Sequence, residues 1–298
     1  MGRTRLRGLE IAGIQIGIEV PESCPWDWPE SPIADFQCLP REPEVHVGMR
    51  VGSPGDADLG GERYSVGPWT FEVARCGQDW LLGLARRGQR TQLAVFDAEF
   101  EKGEVVISPD HAGRSAYPLR GPLDEWIGLH RTVARGGLCL DAGVDRREDG
   151  HVVLRLGAPA ERVEGRWTAA SGSLLGRSAS LIREVNGHLR IFGTPFHPEI
   201  ERRVGREARV EELLRVEPAT RPFRQALDPD EAADALVTHA IVPLCDEGLL
   251  DRVLRNARHL ARTTPVFELG EVSEQPAPMA WRSSQLQGAF APPGRDGR

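Results

Sequence analysis

Lysine is almost missing from this 298-residue chain: Lys102 is the only one among 37 basic residues. Any chemistry that needs a lysine therefore has a single candidate, and it stands in a turn between Glu101 and Gly103. Cysteine is sparse and unpaired in pattern. Cys24, Cys38, Cys76, Cys139 and Cys245 are odd in number and widely scattered, with no Cys-x-x-Cys spacing to begin a zinc or redox site. They read as reduced, mostly buried thiols. Basic runs go no further than pairs such as Arg86-Arg87 and Arg202-Arg203, and the formal charge is −7, so nucleic acid is excluded as an expected partner. No apolar stretch reaches the length of a membrane span, since Glu10, Gln15 and Glu19 interrupt the run from Leu9 to Val20. A soluble, cytoplasmic protein without membrane contact is expected.

What the chain does have is ordinary globular composition, 40% hydrophobic and 27% charged, enough to bury a core in one large domain or two modest ones. Ile14, Ile16, Ile18 and Val20 alternate as on a half-buried strand, and Leu9 to Val20 is read as that strand. Residues 21–68 are rich in Pro and Gly and are expected to be loop. Trp69 to Ala74, Trp80 to Ala85, Thr91 to Phe96 and Glu104 to Ser108 read as short strands, which makes residues 1–118 a β-rich N-terminal domain.

At Pro122 the period changes. Leu123, Trp126, Ile127 and His130 recur at helical spacing, opening an α/β domain over residues 119–272. Gly137 to Val144 and Val152 to Leu156 are of strand length, and Asn186-Gly187 predicts a type I′ hairpin within Leu181 to Phe192. Asp228, Pro229 and Glu231 predict a capped helix start, and a second amphipathic helix over Leu249 to Ala261 stops near Pro265. Val266 to Leu269 reads as a strand, and residues 273–298 as a flexible tail.

In order, Tyr117-Pro-Leu-Arg-Gly-Pro-Leu-Asp-Glu-Trp126, the strand ending at Val144, Val152-Val-Leu-Arg-Leu-Gly157, Leu174-Leu175, the Asn186-Gly187 hairpin and Gly193-Thr-Pro-Phe-His197 resemble the HPr kinase-like family. The similarity continues through the two late helices to Leu269. It implies a P-loop-type α/β fold, related to phosphoenolpyruvate carboxykinase, with a central sheet and flanking helices. The N-terminal layer more weakly resembles the leader domain of relatives found beside peptide-modification genes.

The resemblance also shows what is gone. Phosphoryl transfer needs a phosphate cradle with a lysine, a metal ligand and a base. The loop after Leu156 should hold the phosphates, but it reads Gly157-Ala158-Pro-Ala-Glu161-Arg162-Val-Glu164-Gly165-Arg166. The Gly-x-x-x-x-Gly matches starting at Gly8, Gly55 and Gly83 are not followed by Lys-Ser/Thr either. Where the family has paired aspartates stand Arg177 and Ser178, and Asp141 takes the place of a histidine. Glu161 and Glu164 add negative charge where a triphosphate would sit.

A catalytically degenerate member that binds a peptide or protein partner is therefore expected, in a peptide-modification pathway by analogy alone, and with no cofactor. The alternative is a Mg-ATP-dependent Ser or peptide kinase with a rebuilt loop. In it Gly157, Ala158, Arg162, Gly165 and Arg166 would hold the anion, Asp141, Arg177 and Ser178 would serve catalysis, and Gly193, Thr194 and Pro195 would keep their family positions. A third reading is a structural subunit of a homo-oligomer. His197 and Glu199 match the His-x-Glu of zinc deaminases, but the partner Pro-Cys-x-x-Cys is absent, so His197 is read as a loop residue and no metal site is expected. Trp26, Trp28 and Phe36 are weighed as an exposed aromatic surface for a partner, against the plainer expectation that they pack on their own domain.

Overall fold

The structure is a computed structural model that describes residues 3–24, 33–66, 68–111, 117–119, 123–148, 151–156, 179–195, 206–242 and 246–272. It is a mixed α/β protein built on two sheets. The first contains β1 (Thr4–Ile11), β2 (Ile14–Pro21), β3 (Gln37–Cys38), β4 (Val45–Val51), β5 (Glu62–Val66), β6 (Trp69–Cys76), β7 (Asp79–Arg86), β8 (Gln89–Phe96) and β9 (Lys102–Ile107). Their order across the sheet is β3-β1-β2-β4-β9-β8-β7-β6-β5.

Leu9 to Val20 is not one strand. Ala12 and Gly13 both have positive φ, 54° and 69°, so the chain reverses there and β1 pairs back on β2 as a tight hairpin. The alternation read in the second half holds, since Ile14, Ile16, Ile18 and Val20 are all fully buried. The stretch 21–68 is also more ordered than its Pro and Gly content implies. β4 lies parallel between β2 and β9 and buries Val45, Val47 and Met49, so long-range pairing overrides local turn composition. Trp26 and Trp28 lie outside the described residues, and Phe36, in a short 3₁₀ turn, is buried and presents no aromatic surface.

After a second 3₁₀ turn at Pro109–His111 comes α1 (Leu123–Ala134), in which every residue from 123 to 133 is buried. A helix covered all round needs neighbours on every side. Trp126 meets Trp80 and Phe71 of the first sheet at ring separations of 5.7 and 6.1 Å, while the helix also packs on β10 (Leu138–Arg146) and β12 (Ala179–Val185) of the second. One hydrophobic core consequently runs from Leu9 to Val266.

The second sheet is completed by β11 (Val152–Leu156), β13 (His188–Phe192), β14 (Glu207–Ala219), β15 (Phe223–Ala226) and β16 (Val266–Val272). β10 pairs with β12, β12 with β13, β13 with β14, β14 with β11 in parallel, and β11 returns to β10, so five strands pair in a closed circuit. β16 and β15 extend outward from β14. The two sheets agree with the expected mixed α/β architecture, and α1 stands between them. The Asn186-Gly187 turn has both φ values positive, at 53° and 74°, as its sequence requires. α2 (Pro229–Thr238) starts with the full capping box, Asp228 accepting from the Asp230 and Glu231 amides and Glu231 accepting from the Asp228 amide. α3 (Glu247–Thr263) closes the helical layer. No helix among the described residues is long and apolar enough to cross a membrane.

Candidate functional site

β10 is the strand beside which several of the residues singled out in the sequence meet. Antiparallel residues alternate between the two edges of a strand. One edge of β10 pairs with β12, where Asp141 stands opposite Ala179. The other edge is shared. Asp141 donates its N–H to the His239 carbonyl at 2.8 Å and the Cys139 carbonyl accepts from the Ile241 amide at 2.8 Å, while from Ala142 onward that edge pairs with β11, Ala142 opposite Leu156. Leu156 and Ala179 thus stand opposite two consecutive residues, Ala142 and Asp141. Gly193 and Thr194 follow β13 directly beyond the Leu181↔Phe192 pair, on the side where β12 begins.

The backbone therefore gathers Asp141, Leu156, Ala179 and Gly193-Thr194. Asp141 is exposed; Gly193, Thr194 and Pro195 are buried. Gly193 donates its N–H to the Arg206 carbonyl at 3.0 Å, and the Thr194 hydroxyl, on a residue only 1% exposed, has no hydrogen-bond partner among the described residues. Gly157, Ala158, Arg162, Gly165, Arg166, Arg177, Ser178, His197 and Glu199 lie outside the described residues.

Three residues at this place carry no signal of a functional role in the sequence. His239 ends α2, where Asp141 and Glu217 favour its charged form; burial, the larger effect, lowers its pKa below the usual histidine value. Cys139 is buried, and desolvation, then the carboxylates of Glu125 and Asp141, push its thiol far up, so it is an inert thiol and no nucleophile. Glu125 stands at the start of α1 beside Asp124, whose own carboxyl is held well above the carboxylate range by burial first and by Glu125 second. The Asp124-Glu125 pair was there to be read, but the helical period draws attention only to Leu123, Trp126, Ile127 and His130 around it.

The described side chains gathered on β10 are thus carboxylates, a partly buried histidine and an unmet hydroxyl. Arg215, which pairs opposite Leu156, is held by Glu268 at 3.0 Å. Lys102 is elsewhere, opening β9 opposite His46 in the first sheet. The described residues contain no group of three or more His, Cys, Asp or Glu that could hold a metal ion. Neither a family model nor a curated protein matches this chain.

Proposed function

We propose that this protein is a non-catalytic member of the HPr kinase-like group that works by binding a peptide or protein partner. The observation that carries the reading is the position of Lys102. It sits on β9 in the first sheet, whereas the loop that would cradle phosphates is anchored across β10 in the second, next to Asp141. Phosphoryl transfer is mostly electrostatic positioning, and losing one preorganised donor costs about 3–4 kcal/mol of transition-state stabilisation. A site that brings carboxylates to this point has the wrong sign for a triphosphate.

The test is calorimetric titration of the full chain with Mg-ATP and Mg-ADP, with a thermal-shift control. The expected result is no heat of binding and no stabilisation at millimolar nucleotide. Saturable micromolar binding with a stabilising shift overturns the reading and returns the chain to the kinases, with Arg162 and Arg166 as the first residues to change.

A further inference from the structure

α3 buries one apolar face, with Leu249, Val253, Ala257 and Leu260, and turns the other to solvent. That second face is divided by charge: Glu247 and Asp251 occupy its first half, Arg255, Arg258 and Arg262 its second, and all five are exposed. From Leu254 to Thr263 the helix has three arginines and no carboxylate. Spaced at i, i+3 and i+7, these arginines stand in one row along about 10 Å of helix.

None of the three makes an ion pair or a side-chain hydrogen bond among the described residues. Their charged neighbours are engaged elsewhere: Arg252 holds Glu99, Arg131 holds Glu101 at 3.0 Å, and His259 faces Glu184 at 3.3 Å. Arg255 also lines a cavity of about 490 Å³ between α3, the end of α1 and the turn carrying Glu99 and Glu101. With those two glutamates already paired, Arg255 is the uncompensated charge there. Fold stability does not account for the row. Cations gain from the macrodipole at a helix C-terminus, but the gain fades within the last turn, so it covers Arg262 and neither Arg258 nor Arg255. Like charges at these spacings destabilise a helix.

We infer that the exposed face of α3 is the docking surface for a short acidic segment of a partner polypeptide, whose carboxylates meet Arg255, Arg258 and Arg262. Charge decides the occupant. The formal charge of the whole chain is −7, so the row is a local basic feature on an acidic protein and supplies no long-range attraction for nucleic acid. Residues 273–298 of this chain carry Glu274 and Asp296 against Arg282, Arg295 and Arg298, which is the wrong sign. A second copy, packing α3 antiparallel on itself, offers Glu247 and Asp251, two carboxylates for three arginines, beside a single exposed large apolar residue of the helix, Leu250. That is not the apolar core a homodimer buries. The inference rests on the partner-binding reading above and names the partner's chemistry and where it binds.

The test uses the full chain and a fluorescein-labelled, acetylated octapeptide of alternating Glu and Ser, with alternating Lys and Ser as control. Expected are saturable anisotropy for the acidic peptide alone, weakening as salt rises, and a loss of about tenfold in affinity for the double variant Arg255→Gln/Arg258→Gln. Arg221→Gln, at an exposed arginine just before β15, should change nothing. Glutamine sustains a helix nearly as well as arginine, so the double variant should keep its thermal midpoint, and Arg262→Gln provides a second variant. Arg255→Glu/Arg258→Glu should bind the lysine peptide instead. No binding, equal binding of the two peptides, or affinity untouched by the glutamine variants overturns the surface. Tighter binding of phosphatidylserine vesicles or duplex DNA, or self-association, lost in the same variants also overturns it, because the occupant is then another polyanion or a second copy. Nucleotide titration judges the partner-binding reading separately, so either can fail alone.

Discussion

Arg252 on α3 grips Glu99 in the turn between β8 and β9 with both terminal nitrogens, Nη1 to Oε2 and Nη2 to Oε1 at 2.5 Å each. The same turn gives its Glu99 carbonyl to Arg131 of α1 at 3.0 Å, so a single loop of the first sheet is tied to two helices. The hydrogen bond from Arg252 is the main reason the Glu99 carboxyl is held below its usual pKa.

Replacing Glu99 by Gln tests this clasp. Its side chains are 36% and 44% exposed, so solvent screens the pair and the expected loss is about 0.5–1 kcal/mol, smaller at high salt. A depressed carboxylate pKa stabilises the fold above the ordinary value near 4 and loses that contribution as pH falls through the folded value. Urea midpoints of wild type and Glu99→Gln should therefore converge on acidification; a gap that stays constant from pH 7 to about pH 3 contradicts the assignment.

His130 acts in the same direction. It is 5% exposed, packed 4.3 Å from Phe100 and 5.5 Å from Trp126, and burial, then the charges of Arg75 and Arg252, lower its pKa to about 3. Asp246 approaches its Nδ1 at 3.6 Å, too far for a hydrogen bond, so the neutral ring is the folded form. The unfolded chain takes up a proton near pH 6.5 that the fold refuses, and stability falls as pH drops from there toward 3. His130→Phe should flatten that slope in guanidinium titrations between pH 7 and about pH 4. An unchanged slope means that His130 is not the group responsible.

Asp124 is buried and its carboxyl prefers the protonated form, while its Oδ1 accepts the Glu125 amide at 2.9 Å. A raised acid pKa costs stability increasingly as pH climbs above the unfolded value near 4. Asp124→Asn keeps an acceptor and removes the ionisation, so the variant should gain on wild type between pH 4 and 7. Parallel stability curves over that range sink the claim.

Asn256 on α3 donates from Nδ2 to the carbonyls of Val133 and Gly137, at 2.8 and 2.9 Å, closing the exposed end of α1 onto the start of β10. Asn256→Ala should cost about 1–3 kcal/mol, since two carbonyls lose their donor, and Asn256→Asp should cost more because a carboxylate offers none. Differential scanning calorimetry reads both. Equal midpoints for all three proteins would show that water replaces the amide without loss.

Local chemistry made much of this fold legible. The strands from Trp69 to Ile107, the Asn186-Gly187 turn and the Asp228 capping box each depend on a period or on a backbone conformation that few residue types tolerate, and neighbours in sequence suffice to state it. The hairpin at Ala12-Gly13 was missed because alanine rarely takes a positive φ. β14 was missed as well. Its pattern breaks where the strand passes from β13 on one side to β11 and β16, and the register shifts between Val152 and Val153 opposite it.

The sequence by itself decided that Lys102 stands alone and that no Cys-x-x-Cys spacing exists, because these are matters of which residues are present. Only the tertiary structure decided that the Asp141 amide meets the His239 carbonyl, that Glu125 lies near enough to Cys139 to raise its pKa, and that Arg252 of α3 grips Glu99. Those relationships join residues far apart in the chain through pairing and burial, and no local period carries information about which strand will lie next to which.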